Sequence, residues 1–236
     1  MTDFWIEAAN LNAFLNFFRG RNTEQLEAKT CFSTRAKNKN SLLIKRIREN
    51  YKGKEWLSCL ENSVFTMKTI QLNKNGKTKE ARSFPMFDYS AVRSEEFEQS
   101  DIYQQLSAIF LFCVFQETDN GNLFLGSFFW RRPEEDLEGE VKEVYGKVKF
   151  VLQSGDVVKE DGKKILLNFP REKDTKVCHV RPHGRNALDL ARLPIRDKRT
   201  NYLGLTKQSF WLNHDYINSI LESNRKLLLQ NKYGGH

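Results

Sequence analysis

Long apolar runs are missing from this chain. No stretch approaches the roughly 18 residues that a membrane-spanning helix needs, and the first residues show no basic-then-apolar leader pattern. Cysteine is scarce. Cys31, Cys59, Cys113 and Cys178 are the four, and none are spaced as a Cys-x-x-Cys pair, which excludes a zinc knuckle or a dithiol redox motif. Cys113 falls inside an apolar run and is expected as a buried thiol, which suits a reducing compartment. Internal repeats and low-complexity tracts are absent, which excludes a solenoid. Acidic residues are outnumbered, 30 against 38 Lys and Arg, for a net charge of +8 and a pI near 9.3. The expectation is a soluble, intracellular protein with no membrane partner. Its surplus charge favours a polyanion, nucleic acid ahead of an acidic lipid surface.

What is present is ordinary for a folded domain. Of 236 residues, 39% are hydrophobic and 29% charged, enough for one large α/β domain across the whole chain or, at a stretch, two small ones. Most of the 18 Phe should be core, because they lie in apolar runs such as 110–115 and 128–130. Helical periodicity covers 3–19 and stops at Gly20. A polar stretch over 29–40 leads to a short helix capped by Ser41. Residues 64–72 read as a strand, Asn75-Gly76 as a hairpin turn and 81–87 as the returning strand. After a short helix at 101–106, two apolar strands, 108–115 and 123–130, flank Asn120-Gly121 as a central hairpin. Pro133 and the acids after it open a helix running to about 152. Short strands at 163–168 and 177–180, a basic loop over 186–202, a strand at 205–212 and a helix at 215–229 complete the pattern, with Gly234-Gly235-His236 as a frayed tail. The order is mixed α+β, without the regular alternation of a doubly wound sheet.

Two segments carry chemistry. Residues 171–200 hold nine Lys or Arg against four Asp or Glu, +5 of the net +8. At their centre stands His179-Val180-Arg181-Pro182-His183-Gly184-Arg185-Asn186. Arginine can pair in bidentate fashion with guanine O6 and N7, and asparagine with adenine. Gly184 lets backbone approach a phosphate, and Pro182 lowers the ordering cost of the loop. The second segment is Leu205-Thr206-Lys207-Gln208-Ser209-Phe210-Trp211-Leu212-Asn213. Alternation puts Phe210 and Leu212 on one face, and Ser209 and Trp211 on the other. An outward Trp211 beside Lys207 and Gln208 suits a nucleic-acid surface, while a core Trp211 is the competing reading.

Together these two runs resemble the C-terminal part of the MutH-like, GATC-specific type II restriction endonucleases. The resemblance extends back through Leu72-Asn73-Lys74-Asn75-Gly76-Lys77-Thr78-Lys79-Glu80, Ser83-Phe84-Pro85-Met86-Phe87-Asp88-Tyr89 and the hairpin over 111–130. It covers about 30–230, with 1–29 as a helix and connector and 231–236 as tail. It implies the PD-(D/E)xK nuclease fold, a mixed sheet flanked by helices, and double-stranded GATC DNA as partner. Arg181, Pro182, His183, Arg185, Asn186, Lys207, Gln208 and Trp211 are then the DNA-binding candidates.

That family cuts with two carboxylates that hold Mg²⁺ and a lysine that stabilises developing charge. Its pattern is Asp, six residues, Glu, one residue, Lys, then commonly Thr. Here Lys68 and Thr69 match, but Cys59 stands at the Asp position and Thr66 at the Glu position. Neither supplies an anionic oxygen to a hard cation. The resemblance therefore implies a non-catalytic domain with vestigial Cys59, Thr66 and Lys68, no metal and no cofactor of its own. Its wording is closest to the C-terminal effector half of two-domain members, whose other, catalytic MutH-like half uses Mg²⁺. Two alternatives stay open: a compact active nuclease that borrows Glu61, Glu55 or Asp88, and a dimerisation module that binds no DNA.

Overall fold

The computed structural model describes residues 2–51, 65–78, 80–161 and 164–229. They fall into two compact units. The first takes Met1–Lys79, Ala108–Arg131 and Asn218–His236, and the second Glu80–Ser107 and Arg132–Ile217.

In the first unit, α1 (Thr2–Asn16), α2 (Thr23–Thr30) and α3 (Lys39–Glu49) precede β1 (Phe65–Leu72), β3 (Ile109–Thr118) and β4 (Gly121–Arg131). The sheet is mixed, in the order β1-β3-β4. β1 runs parallel to β3, with Phe65 opposite Ile109 and Lys68 opposite Phe112. β3 and β4 form the antiparallel hairpin expected about Asn120-Gly121, closing at Thr118 and Gly121. Period two puts Phe65, Leu111, Cys113 and Phe115 on one face. There they pack with Leu11 and Leu15 of α1, Leu26 of α2, and Leu43, Ile44 and Ile47 of α3. Cys113 is fully buried, as its apolar run implied. The opposite face of the strands carries Phe110 and Phe112, stacked at 5.7 Å, with Trp130 and Phe128 against them.

Several local expectations change. The connector after the first helix, ahead of the polar stretch, forms α2, opened by a capping box in which Asn22 accepts from Gln25 N and Gln25 Oε1 accepts from Asn22 N, both 2.9 Å. α3 starts at Lys39, so Ser41 lies inside the helix instead of capping it. Lys39 reaches Glu27 of α2 at 3.0 Å, a tertiary tie that favours the earlier start. The Asn75-Gly76 turn forms, with Asn73 Oδ1 accepting from Asn75 N and Lys77 N. Yet the strand beyond it does not return along β1. β1's partner is β3, and β2 (Arg82–Met86) joins another sheet. Turn chemistry shapes a local bend, but pairing goes to whichever edge buries more apolar surface. Cys59, Glu55, Glu61, the strand start at 64 and the tail over 231–236 lie outside the described residues.

The second unit is built on a three-stranded antiparallel sheet, β2-β10-β7, with β7 at Cys178–Pro182 and β10 at Gln208–Leu212. α4 (Tyr89–Ser94) and α5 (Asp101–Ser107) follow β2. The helix opened by Pro133 begins with a turn at Glu134–Asp136 and a π-helical segment at Leu137–Val141. It continues as α6 (Lys142–Ser154) and ends at left-handed Gly155. β5 (Val158–Asp161) and β6 (Lys164–Leu167) pair, as do β8 (Leu190–Arg192) and β9 (Gly204–Thr206). The expected loop over 186–202 thus contains a short strand, and the expected strand over 205–212 is two strands broken at Lys207. The break has a cause: Lys207 N donates to Asp189 O at 3.0 Å, while Lys207 O accepts from His183 N at 2.9 Å. The last helix is likewise two, α7 (His214–Ser223) and α8 (Arg225–Leu229), interrupted where Asn224 Nδ2 donates to Ile220 O.

Candidate nucleic-acid interface

β7 and β10 explain which candidates can meet a ligand. Ser209 is opposite Arg181 and Trp211 opposite His179, so those four side chains share a face. Cys178, Val180, Gln208, Phe210 and Leu212 take the other face, and each is at most 5% exposed. Gln208 is therefore a correction. Its parity with Phe210 and Leu212 places it in the core, at 0% exposure, with Nε2 donating to Thr206 O at 2.8 Å.

On the first face, the inner end is sealed. His179 is 2% exposed, and its Nδ1 lies 2.6 Å from Asn213 Oδ1. Asn213 Nδ2 donates to Thr175 O at 2.9 Å, so Oδ1 faces the histidine and Nδ1 carries the proton. Burial holds the His179 pKa below the usual imidazole range. Ser209 donates its hydroxyl to Phe84 O. The outer end is open: Arg181, Pro182 and His183 are exposed and Trp211 is half-buried. The Arg181 guanidinium lies over the Trp211 ring, 4.2 Å from its centroid, and the His183 ring is 5.0 Å from it. The Trp211 indole N–H is sealed from solvent and has no partner among the described residues, so the ring serves through its face.

The loop after β7 is tied down at Asp189. Its Oδ2 accepts from Arg185 N at 3.0 Å, and its Oδ1 meets Lys207 Nζ at 2.8 Å. The Arg185 backbone N–H and the Lys207 ammonium outweigh burial and lower the carboxyl pKa to about 2. A Cβ on Gly184 would come within 3.1 Å of Asp189 Cβ and O, so the loop closes with no room for a side chain there. Arg185 and Asn186 are exposed. Asn186 Oδ1 already accepts from Leu188 N at 2.9 Å, which makes this side chain a turn-former first. Lys207 is engaged by Asp189 rather than standing clear. Sequence reasoning singled out the cations and passed over Asp189 as their organiser. Its spacing of four from Arg185, as an acid in a basic run, was the available signal.

In the first unit, β1 turns Thr66 and Lys68 to the face opposite the helical core, and both are partly exposed. An open pocket of about 330 Å³ at this strand is lined by Lys45, Arg48, Phe65, Thr66 and Met67. The polar groups of this lining are a hydroxyl, an ammonium and a guanidinium. These residues do not fit Mg²⁺, which asks for anionic oxygen. Among the described residues, no group of three or more His, Cys, Asp or Glu is placed to hold a metal ion. Asp88, an alternative acid in the second unit, is engaged as the N-cap of α4, accepting from Ser90 N at 2.8 Å and Ala91 N at 2.9 Å.

No helix among the described residues is long and apolar enough to cross a membrane. No protein-family model matches the chain. Among curated proteins, the type II restriction enzyme Sau3AI of Staphylococcus aureus is 33% identical over a 193-position alignment that covers 69% of this chain and 39% of that enzyme. This chain is therefore, over most of its length, a relative of a type II restriction enzyme, of which it spans about two-fifths.

Proposed function

We propose that this chain is a non-catalytic, GATC-specific, double-stranded-DNA-binding effector module of a type II restriction endonuclease. In this reading its fold is a PD-(D/E)xK fold with a degenerate cleavage site. It acts beside a catalytic MutH-like domain that carries the Mg²⁺ chemistry. The observation that carries the reading is the exposed Arg181 held over Trp211, next to a loop braced by Asp189. A planar donor fork fixed at the outer end of a strand pair is suited to the edge of a guanine, and the cations around it to phosphates. The similarity to a restriction enzyme supports the DNA partner. Thr66, at the position where cleavage needs a carboxylate, supports the silent site.

The test measures binding of the whole chain to a GATC duplex and to a scrambled duplex, at several salt concentrations. GATC should be preferred. If about five phosphates are neutralised, log K should fall against log salt with a slope near −4 to −5. A slope near zero, or equal affinity for the two duplexes, overturns the reading of the site. A parallel incubation with GATC plasmid and Mg²⁺ or Mn²⁺ should leave the plasmid intact. Fragments ending at GATC, retained through purification, would make the chain a nuclease.

A further inference from the structure

Leu188 is 85% exposed, the highest value of any large hydrophobic side chain among the described residues. Single exposed leucines are common on protein surfaces. This one differs in how firmly its backbone is held and in what surrounds it. Leu188 N donates to Asn186 Oδ1 at 2.9 Å, and its carbonyl accepts from Leu190 N at 2.9 Å. The preceding carbonyl, Ala187 O, accepts from Thr206 Oγ1 at 3.1 Å, and Asp189 is fixed by Arg185 and Lys207. The loop therefore presents an isobutyl group to water from a braced position. Nearby along the chain, Arg181, His183, Arg185 and Asn186 are polar and exposed, while Ala187 and Leu190 on either side are exposed and apolar. An apolar group among hydrogen-bond donors matches one feature of a base-pair edge in the major groove, the 5-methyl group of thymine.

We propose that Leu188 is a specificity-determining residue that reads the thymine methyl of the GATC site. This rests on the reading of the loop as the GATC-binding element. The braced loop brings the backbone of Leu188 to the groove already ordered, so contact with the methyl costs only the leucine's rotamer freedom and removes apolar surface of both partners from water.

The experiment is a two-by-two comparison using the whole chain. Wild type and Leu188→Ala are each titrated against a GATC duplex and against the same duplex with deoxyuridine in place of the site's thymines. That substitution deletes the methyl and keeps the hydrogen-bonding edge. For wild type, loss of the methyl should weaken binding about fourfold, the worth of one buried carbon group. Leu188→Ala should lose a similar factor on the thymine duplex and nothing more on the deoxyuridine duplex. Its melting temperature should match wild type, because the side chain packs against little. If the two losses multiply independently, or if Leu188→Ala binds thymine DNA as well as wild type, the assignment is overturned. The same holds if the variant weakens both duplexes alike while wild type ignores the methyl. Wild type that fails to distinguish GATC from a scrambled duplex removes the underlying reading, and this inference with it.

Discussion

Arg181 lies over Trp211, its guanidinium carbon 4.2 Å from the centre of the ring, on the one open end of a strand face otherwise sealed by His179 and Ser209. The ring covers one side of the guanidinium, and the residue is otherwise exposed. An arginine held this way loses less rotamer freedom on binding than one that must be ordered by its ligand.

Arg181→Ala should weaken GATC binding by about 1–3 kcal/mol and affect a scrambled duplex less. Arg181→Lys keeps the charge and loses the planar fork, so it should retain binding to the scrambled duplex and lose most of the preference for GATC. The exposed stacking contact is worth only about 0.5–1 kcal/mol, so neither variant should melt much earlier than wild type. Titrations on both duplexes with parallel thermal melts check this. Equal losses on the two DNAs together with a destabilised fold would mean that Arg181 is structural.

The carboxylate of Asp189 should make the loop acid-sensitive. Its folded pKa, near 2, lies below the unfolded value of about 3.9, so between the two the unfolded chain holds the extra proton. Its contribution is complete above about pH 4 and is lost as pH falls toward 2. Asp189→Asn removes that contribution, so the stability difference between wild type and variant should be constant at neutral pH and shrink below pH 4. Chemical denaturation across pH 2–6 reads it. The variant also releases Lys207, which should then bind the two duplexes more evenly.

His179 should add a second slope at higher pH. Burial holds its pKa in the fold below the unfolded value of about 6.5, so below that pH the unfolded chain binds more proton than the folded one. Stability should therefore rise with pH through the window below 6.5 and level off above it. A His179→Gln variant, whose amide can still donate to Asn213, should lose this component of the slope. Melting curves at half-unit steps from pH 5 to 8 compare the two. Identical slopes would place the titration elsewhere.

Gly126 should resist substitution. Its φ is +130°, and a Cβ there would sit 2.6 Å from Arg19 Nε and 2.7 Å from Asn16 Oδ1. Asn16 cannot simply move away, because its Oδ1 accepts from Ser127 N at 2.7 Å and its Nδ2 donates to Ser127 O at 3.0 Å. Gly126→Ala should cost about 1–3 kcal/mol of stability, by urea unfolding, through backbone strain and a broken hinge of hydrogen bonds between α1 and β4.

The sequence by itself determined whatever depends on neighbours a few residues away. Asn120-Gly121 between apolar strands gave the β3–β4 hairpin, because the turn and the pairing are one local event. Alternation over 208–212 separated Phe210 and Leu212 from Ser209 and Trp211, and the same parity, applied to Gln208, puts that residue in the core where it lies and not among the DNA-binding candidates. That Cys59 and Thr66, which the proposed function takes as a vestigial cleavage site, carry no carboxylate is a property of the sequence alone. The tertiary structure alone decided which edges met. Asn75-Gly76 made its bend, but β1 paired with β3 in parallel and β2 with β10, since strands distant in sequence compete for partners by the surface they bury. It also decided that Asp189 would hold Arg185 and Lys207, leaving Arg181 to lie on Trp211. Ion pairing depends on distances of a few ångströms between separate loops, and a linear pattern of charges does not contain those distances.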